Sequence, residues 1–88
     1  MNNVELKEML KEALELMYEK QRAEYESIVD VFIKKYEVLL NIIDSQGEVT
    51  SADVTGIKTC TRAYAETSSN YRQEFLNALG AVEKYVRG

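Results

Sequence analysis

Apolar residues recur along the chain in three periodic runs, and each run predicts a helix face. In the first, Leu6, Leu10, Ala13 and Met17 follow four-three-four spacing, the stripe of a coiled-coil-like helix. Opposite them Glu5, Glu8, Glu12, Glu15 and Glu19 alternate at three and four. The pattern falters at residues 19–24, "EKQRAE", and resumes one residue out of phase as Tyr25, Val29, Phe32, Tyr36, Leu39 and Ile43. A phase jump of this kind is a stutter, which unwinds a supercoil locally without ending the helix. Neither glycine nor proline occurs from Val4 to Asp44 and most residues there are strong helix formers, so one helix is predicted over 4–44.

The second half of that helix is apolar nearly all round. Ile28, Val31, Ile33, Val38, Leu40 and Ile42 lie away from the seam, and one antiparallel neighbour cannot cover both sides. The polar cluster "DSQGEVT", residues 44–50, predicts a turn with Gly47 free to take a positive φ. Thr50 or Ser51 can cap the next helix, and Thr50 with Asp53 resembles a capping box with Asp in place of Glu. Val54, Ile57, Thr61, Tyr64, Ser68, Tyr71, Phe75, Ala78, Val82 and Tyr85 then keep a strict three-four alternation, predicting a second helix over 51–87.

The expected fold is an all-α antiparallel helical hairpin, one domain over 1–88, with arms of roughly 60 and 55 Å at 1.5 Å per residue. The face formed by Ile28, Val31, Ile33, Val38, Leu40 and Ile42 predicts self-association into a helical bundle, most simply a two-fold dimer of four helices. A second arrangement turns the stutter into a corner and starts a new helix at Asn70, with Gln73 three residues on, giving a compact monomeric bundle of three or four helices. The lack of Gly or Pro at either break favours the hairpin. In length and central turn the chain resembles the small Trp-x-Gly helical hairpins of type VII secretion. Residues 45–47 read Ser-Gln-Gly, without the tryptophan, so the likeness is architectural and implies no function.

Composition narrows the chemistry. Eighty-eight residues bury only about two-thirds of the unfolded surface, which makes an isolated unit marginal and a partner copy worth considering. A net charge of −4 disfavours general nucleic-acid binding. One cysteine and no histidine leave neither an internal disulfide nor the usual zinc ligand sets. The acidic start lacks the pattern of a signal peptide, no apolar run approaches the roughly 20 residues that span a bilayer, and a cytoplasmic location is expected.

Candidate sites are few. Cys60 stands near Arg62, whose charge can lower a thiol pKa, but no histidine is present to act as base, and a packed cysteine is the simpler expectation. The carboxylates form no EF-hand loop, and neither a metal nor a cofactor is expected. The stripe from Glu5 to Glu19 can meet a basic surface on a partner protein, although Lys7, Lys11 and Lys20 interleave with it and dilute its field. If the hairpin arms pair about Gly47, Gln21, Arg22 and Tyr25 face Ser68, Tyr71 and Arg72, with Arg62 and Tyr64 one or two turns away. Tyrosine faces, arginines and hydroxyls at one level suit a small anion such as a nucleotide. Ala63, Ala65, Ala78, Gly80 and Ala81 let helices approach closely.

The expected function is non-catalytic binding through protein-protein interaction by a self-associating helical protein, with an adaptor, assembly factor or phage-type inhibitor suggested by size and class alone. The alternative is an oligomer that sequesters a nucleotide-like anion between helices or subunits.

Overall fold

The structure, a computed structural model, describes residues 3–47, 49, 54–67 and 74–87. Four helices account for most of them: α1 (Asn3–Ala23), α2 (Ser27–Gln46), α3 (Cys60–Thr67) and α4 (Glu74–Arg87). No strand occurs among the described residues. The caps expected at Thr50 or Ser51 with Asp53, and at Asn70 with Gln73, lie outside the described residues, as do Ser68, Tyr71 and Arg72.

The first run of the sequence forms α1 as its spacing predicts. Leu6, Leu10, Ala13 and Met17 are fully buried, with Leu14 beside them, and each large side chain so buried contributes about 1.5–3 kcal/mol. Glu5 in the first turn and Lys20 and Arg22 in the last suit the helix dipole.

The helix predicted over 4–44 is broken after Ala23. Glu24–Glu26 leave helical geometry, and Glu26, with φ −134° and ψ 128°, starts α2. No glycine or proline makes this corner. The Gln21 carboxamide does: its Nε2 donates to the Glu26 carbonyl at 2.8 Å, and its Oε1 accepts from the Glu26 N–H at 2.9 Å. A side chain thus satisfies both backbone groups of a residue that a continuing helix would have paired. The ammonium of Lys20 adds a bond to the Glu24 carbonyl.

Along α2 the second run holds, with Val29, Phe32, Tyr36, Leu39 and Ile43 buried, while Tyr25 in the corner is exposed. Gly47 ends the helix at φ 75°, its N–H bonded to the Ile43 carbonyl at 2.8 Å, as the turn chemistry predicts. The helix predicted over 51–87 is also interrupted. Gly56–Thr59 form a turn closed by short-range bonds such as Ile57 N–H to the Val54 carbonyl, and α3 starts only at Cys60.

Because α4 is a separate element, it rotates independently of α3, and its buried seam is Phe75, Leu79, Val82 and Val86. Ala78 and Tyr85, predicted on that seam, are half-buried at its edge. Gly80 does not mediate a close approach either: a methyl group there meets nothing within 4 Å.

Helix α1 packs on α2 and α4, and α3 closes the circuit by touching the same two helices. The all-α bundle expected from the sequence is therefore built in its compact, four-helix form, and the hairpin form is corrected. The molecule measures 35 × 23 × 17 Å, close to the roughly 31 Å of a 21-residue helix and far short of a 60 Å arm. Its accessible surface of 5499 Å² compares with about 5300 Å² for a folded monomer of this mass, so the core closes within one chain.

Candidate functional site

The residues expected to form a ligand layer are only partly brought together. Tyr64 reaches the α1–α2 corner, but from inside: it is fully buried, its ring meets Phe75 edge-on at 5.2 Å, and its hydroxyl donates to Glu26 Oε1 at 2.7 Å. Lys20 Nζ lies 2.9 Å from the same oxygen. The Tyr64 bond first, and Lys20 second, hold the Glu26 carboxyl below its ordinary range. Tyr64 therefore keeps the buried position that its place on the three-four seam predicts, and offers no stacking face to a ligand. Tyr25 is exposed and its hydroxyl is bonded to Asp30 at 2.5 Å. Arg22 is exposed, and Arg62 pairs along its own helix with Glu66 at 3.3 Å.

A second polar group sits deeper. Glu83, 7% exposed, accepts from the Thr61 N–H at 2.9 Å and from the Thr61 hydroxyl at 2.6 Å, so a carboxylate of α4 serves the first turn of α3. Nearby, the Tyr36 hydroxyl is buried without a hydrogen-bond partner among the described residues, and burial pushes its pKa up. Burial likewise pushes the Cys60 thiol up to about 11. A buried, protonated thiol is a packing group and not a nucleophile.

The apolar face of α2 divides in two. Ile33 belongs to the core, with 8% exposure, and Ile28, Leu40 and Ile42 are half-buried, since the folded-back chain supplies the cover that a partner copy was expected to give. Val31 and Val38 remain exposed, seven residues apart, with exposed Lys34 and Lys35 between them. These four side chains share the outward side of α2.

On α1, all of Glu5, Glu8, Glu12, Glu15 and Glu19 are exposed, as predicted. Two of the three lysines expected to dilute them point elsewhere. Lys7 pairs with Asp44 of α2 at 2.5 Å, and Lys20 is buried against Glu26. Glu8, Glu12, Glu15 and Glu19 have no ion-pair partner among the described residues.

Beside this stripe runs a feature that periodicity alone did not reveal. Met9, Glu12 and Leu16 of α1 and Asn77, Ala78 and Ala81 of α4 line a recess of about 240 Å³. It continues past Met9 and Ala81 to Lys84 and Tyr85 in an open depression of about 510 Å³. Together they form a trough between α1 and α4, left open because α4 presents alanines there. On the helix wheel Met9 and Leu16 lie about 60° and 40° to one side of Glu12, and Glu8, Glu15 and Glu19 lie within about 60° on the other. One rim of the trough is thus a continuous acidic edge.

No family model, curated protein or solved structure matches the chain. Among the described residues no helix is long and apolar enough to cross a membrane, and no group of three or more metal-ligating side chains is assembled.

Proposed function

We propose that the chain is a non-catalytic binding protein that acts through protein-protein interaction, in the manner of a small acidic adaptor, assembly factor or inhibitor. The observation that carries this reading is the trough between α1 and α4 with its acidic rim. Its floor combines the adaptable thioether of Met9 with Leu16, Ala78, Ala81 and the amphipathic ring of Tyr85, residue types suited to an interface core. The rim supplies charge where charge governs partner choice and encounter rate. Withdrawal of Lys7 and Lys20 into their own ion pairs supports it, because the stripe then acts with less internal neutralisation. Self-association, through the exposed part of α2, belongs to the same reading.

The alternative, a nucleotide-like anion held between helices or subunits, has less support. Tyr64 faces the core, Arg62 is engaged with Glu66, and the α1 rim of the trough is acidic, with Lys84 on its α4 side.

The test is a charge reversal. Glu8→Lys, Glu12→Lys and Glu15→Lys together should abolish crosslinking of the protein to its partners in cells while leaving its circular dichroism and urea midpoint intact. An unchanged crosslinking pattern counts against the acidic rim. Native mass spectrometry of the purified protein, showing a stoichiometric small anion, would favour the alternative.

A further inference from the structure

We infer that the trough of one copy receives the outward side of α2 of another, so that the chain associates head to tail. The inference rests on the protein-interaction reading above and names the occupant as a second copy of this chain.

The fit is one of spacing and charge. Met9 and Leu16 stand seven residues apart on α1, and so do Val31 and Val38 on α2, so both apolar pairs are separated by about 10.5 Å along their helices. The alanines at 78 and 81 leave the depression into which branched side chains of valine size can settle. Between the valines the helix surface carries exposed Lys34 and Lys35, with Asp30 and Glu37 flanking them on one side. Along the α1 rim of the trough it is acidic, with Glu8, Glu12, Glu15 and Glu19 exposed, while Lys84 stands on the α4 side. The lysines between the valines suit the acidic rim, and the valines are left partly in water when the chain is alone: Val31 is 48% and Val38 59% exposed.

The two surfaces lie on different helices, so each copy carries both halves of the contact. A patch that pairs with a different patch is heterologous, so each added copy leaves one α2 face and one trough unused unless a ring closes. A dimer that paired α2 with α2, the face from which the sequence predicted association, would set Lys34 and Lys35 against their own copies, which like charge opposes.

The experiment uses two variants of the full chain, one with the trough charge reversed (Glu12→Lys with Glu15→Lys) and one with the α2 charge reversed (Lys34→Glu with Lys35→Glu). All four positions are exposed, and circular dichroism with urea unfolding first establishes that both variants are folded. Sedimentation equilibrium from about 10 μM to 1 mM at low salt should show the wild type self-associating, with the dissociation constant rising about tenfold or more at high salt. Each variant alone should stay monomeric over that range. Mixed, they should associate again as the wild type does, because the intact trough of one variant meets the intact α2 of the other and the two reversed surfaces are in turn opposite in charge.

A wild type that stays monomeric at 1 mM overturns the inference, as does self-association that both variants retain. So does a mixture that fails to pair. Loss of crosslinking to other proteins in the Glu8, Glu12 and Glu15 variant, together with a monomeric wild type, would leave the protein-interaction reading standing and assign the trough to a different protein.

Discussion

Tyr64 donates its hydroxyl hydrogen to Glu26 Oε1 at 2.7 Å across 38 residues of chain, and Lys20 approaches that same oxygen. One carboxylate oxygen thereby ties the end of α1, the start of α2 and the middle of α3. Hydrogen bonds to charged groups contribute about 1.5–3 kcal/mol, so Tyr64→Phe should lower the urea-unfolding free energy by an amount near the bottom of that range, since Glu26 is partly solvated. A loss below about 0.5 kcal/mol would show that water replaces the bond without penalty.

The same contact makes stability depend on acid. Glu26 titrates below its ordinary 4.5 in the folded chain, chiefly through Tyr64 and then Lys20, and Asp30 titrates below its ordinary 3.8 through Tyr25 and Gln21. Near and below those ordinary values the unfolded chain binds more protons than the folded one. The contribution is therefore fully present at neutral pH and is lost as pH falls through the lower folded values. Unfolding free energies measured from about pH 7 to about pH 3 should fall on the acid side, and Glu26→Gln should flatten that fall. An acid limb as steep in the variant as in the wild type would remove Glu26 from the explanation.

The apolar seams were legible because burial follows period: Leu6, Leu10, Ala13 and Met17, then Val29, Phe32, Tyr36, Leu39 and Ile43, all lie in the core. The corner between them was legible only as a stutter. It is made by the side chains of Lys20 and Gln21, residues whose intrinsic preference is helical, and tertiary bonds override that preference. The signal was present as two polar residues where the seam calls for apolar ones. On α4 the error was one of phase. Extending a single alternation from Val54 to Tyr85 assumed one straight helix, and the turn at Gly56–Thr59 and the independent rotation of α4 move burial to Leu79 and Val86, leaving Ala78 and Tyr85 to line the trough. The acidic stripe was legible, but its field was not, because only the fold reveals that Lys7 and Lys20 are spent on Asp44 and Glu26.

If Lys20 and Gln21 make the corner, removing them should restore the helix that the period favours. In Lys20→Leu with Gln21→Leu, the apolar seam runs through without its polar interruption and the Glu26 backbone loses its side-chain partners. We expect α1 and α2 to fuse and the chain to exchange segments with a second copy. Small-angle scattering should report a dimer with a long dimension near or above 60 Å, the length of a 40-residue helix, against 35 Å for the native chain. A compact monomer from this variant would mean that the corner is held by packing around Val29 and Leu14 instead.

Gly80 lies inside α4, and a methyl group placed there meets nothing within 4 Å. Glycine in a helix interior is about 1 kcal/mol less favourable than alanine, so Gly80→Ala should stabilise the protein by roughly that amount and raise its Tm by about 4–8 °C. A destabilised variant would point to a contact of α4 with another molecule that needs the missing side chain.

Ile33 and Val31 separate burial within the chain from exposure on it. Both stood on the face predicted to join copies, yet Ile33 is 8% exposed and Val31 is 48% exposed. A carboxylate at position 33 must be desolvated in the apolar core or driven out at the expense of packing, and either route removes several kcal/mol, a large share of the stability of so small a domain. Ile33→Glu should therefore leave a chain with little cooperative unfolding by circular dichroism. Val31→Glu meets water, and its folded stability should stay within about 0.5 kcal/mol of the wild type. Were the helices instead the long arms of a dimer with Ile33 at the joint, Ile33→Glu would yield folded monomers, and that outcome would return the face to the interface between copies.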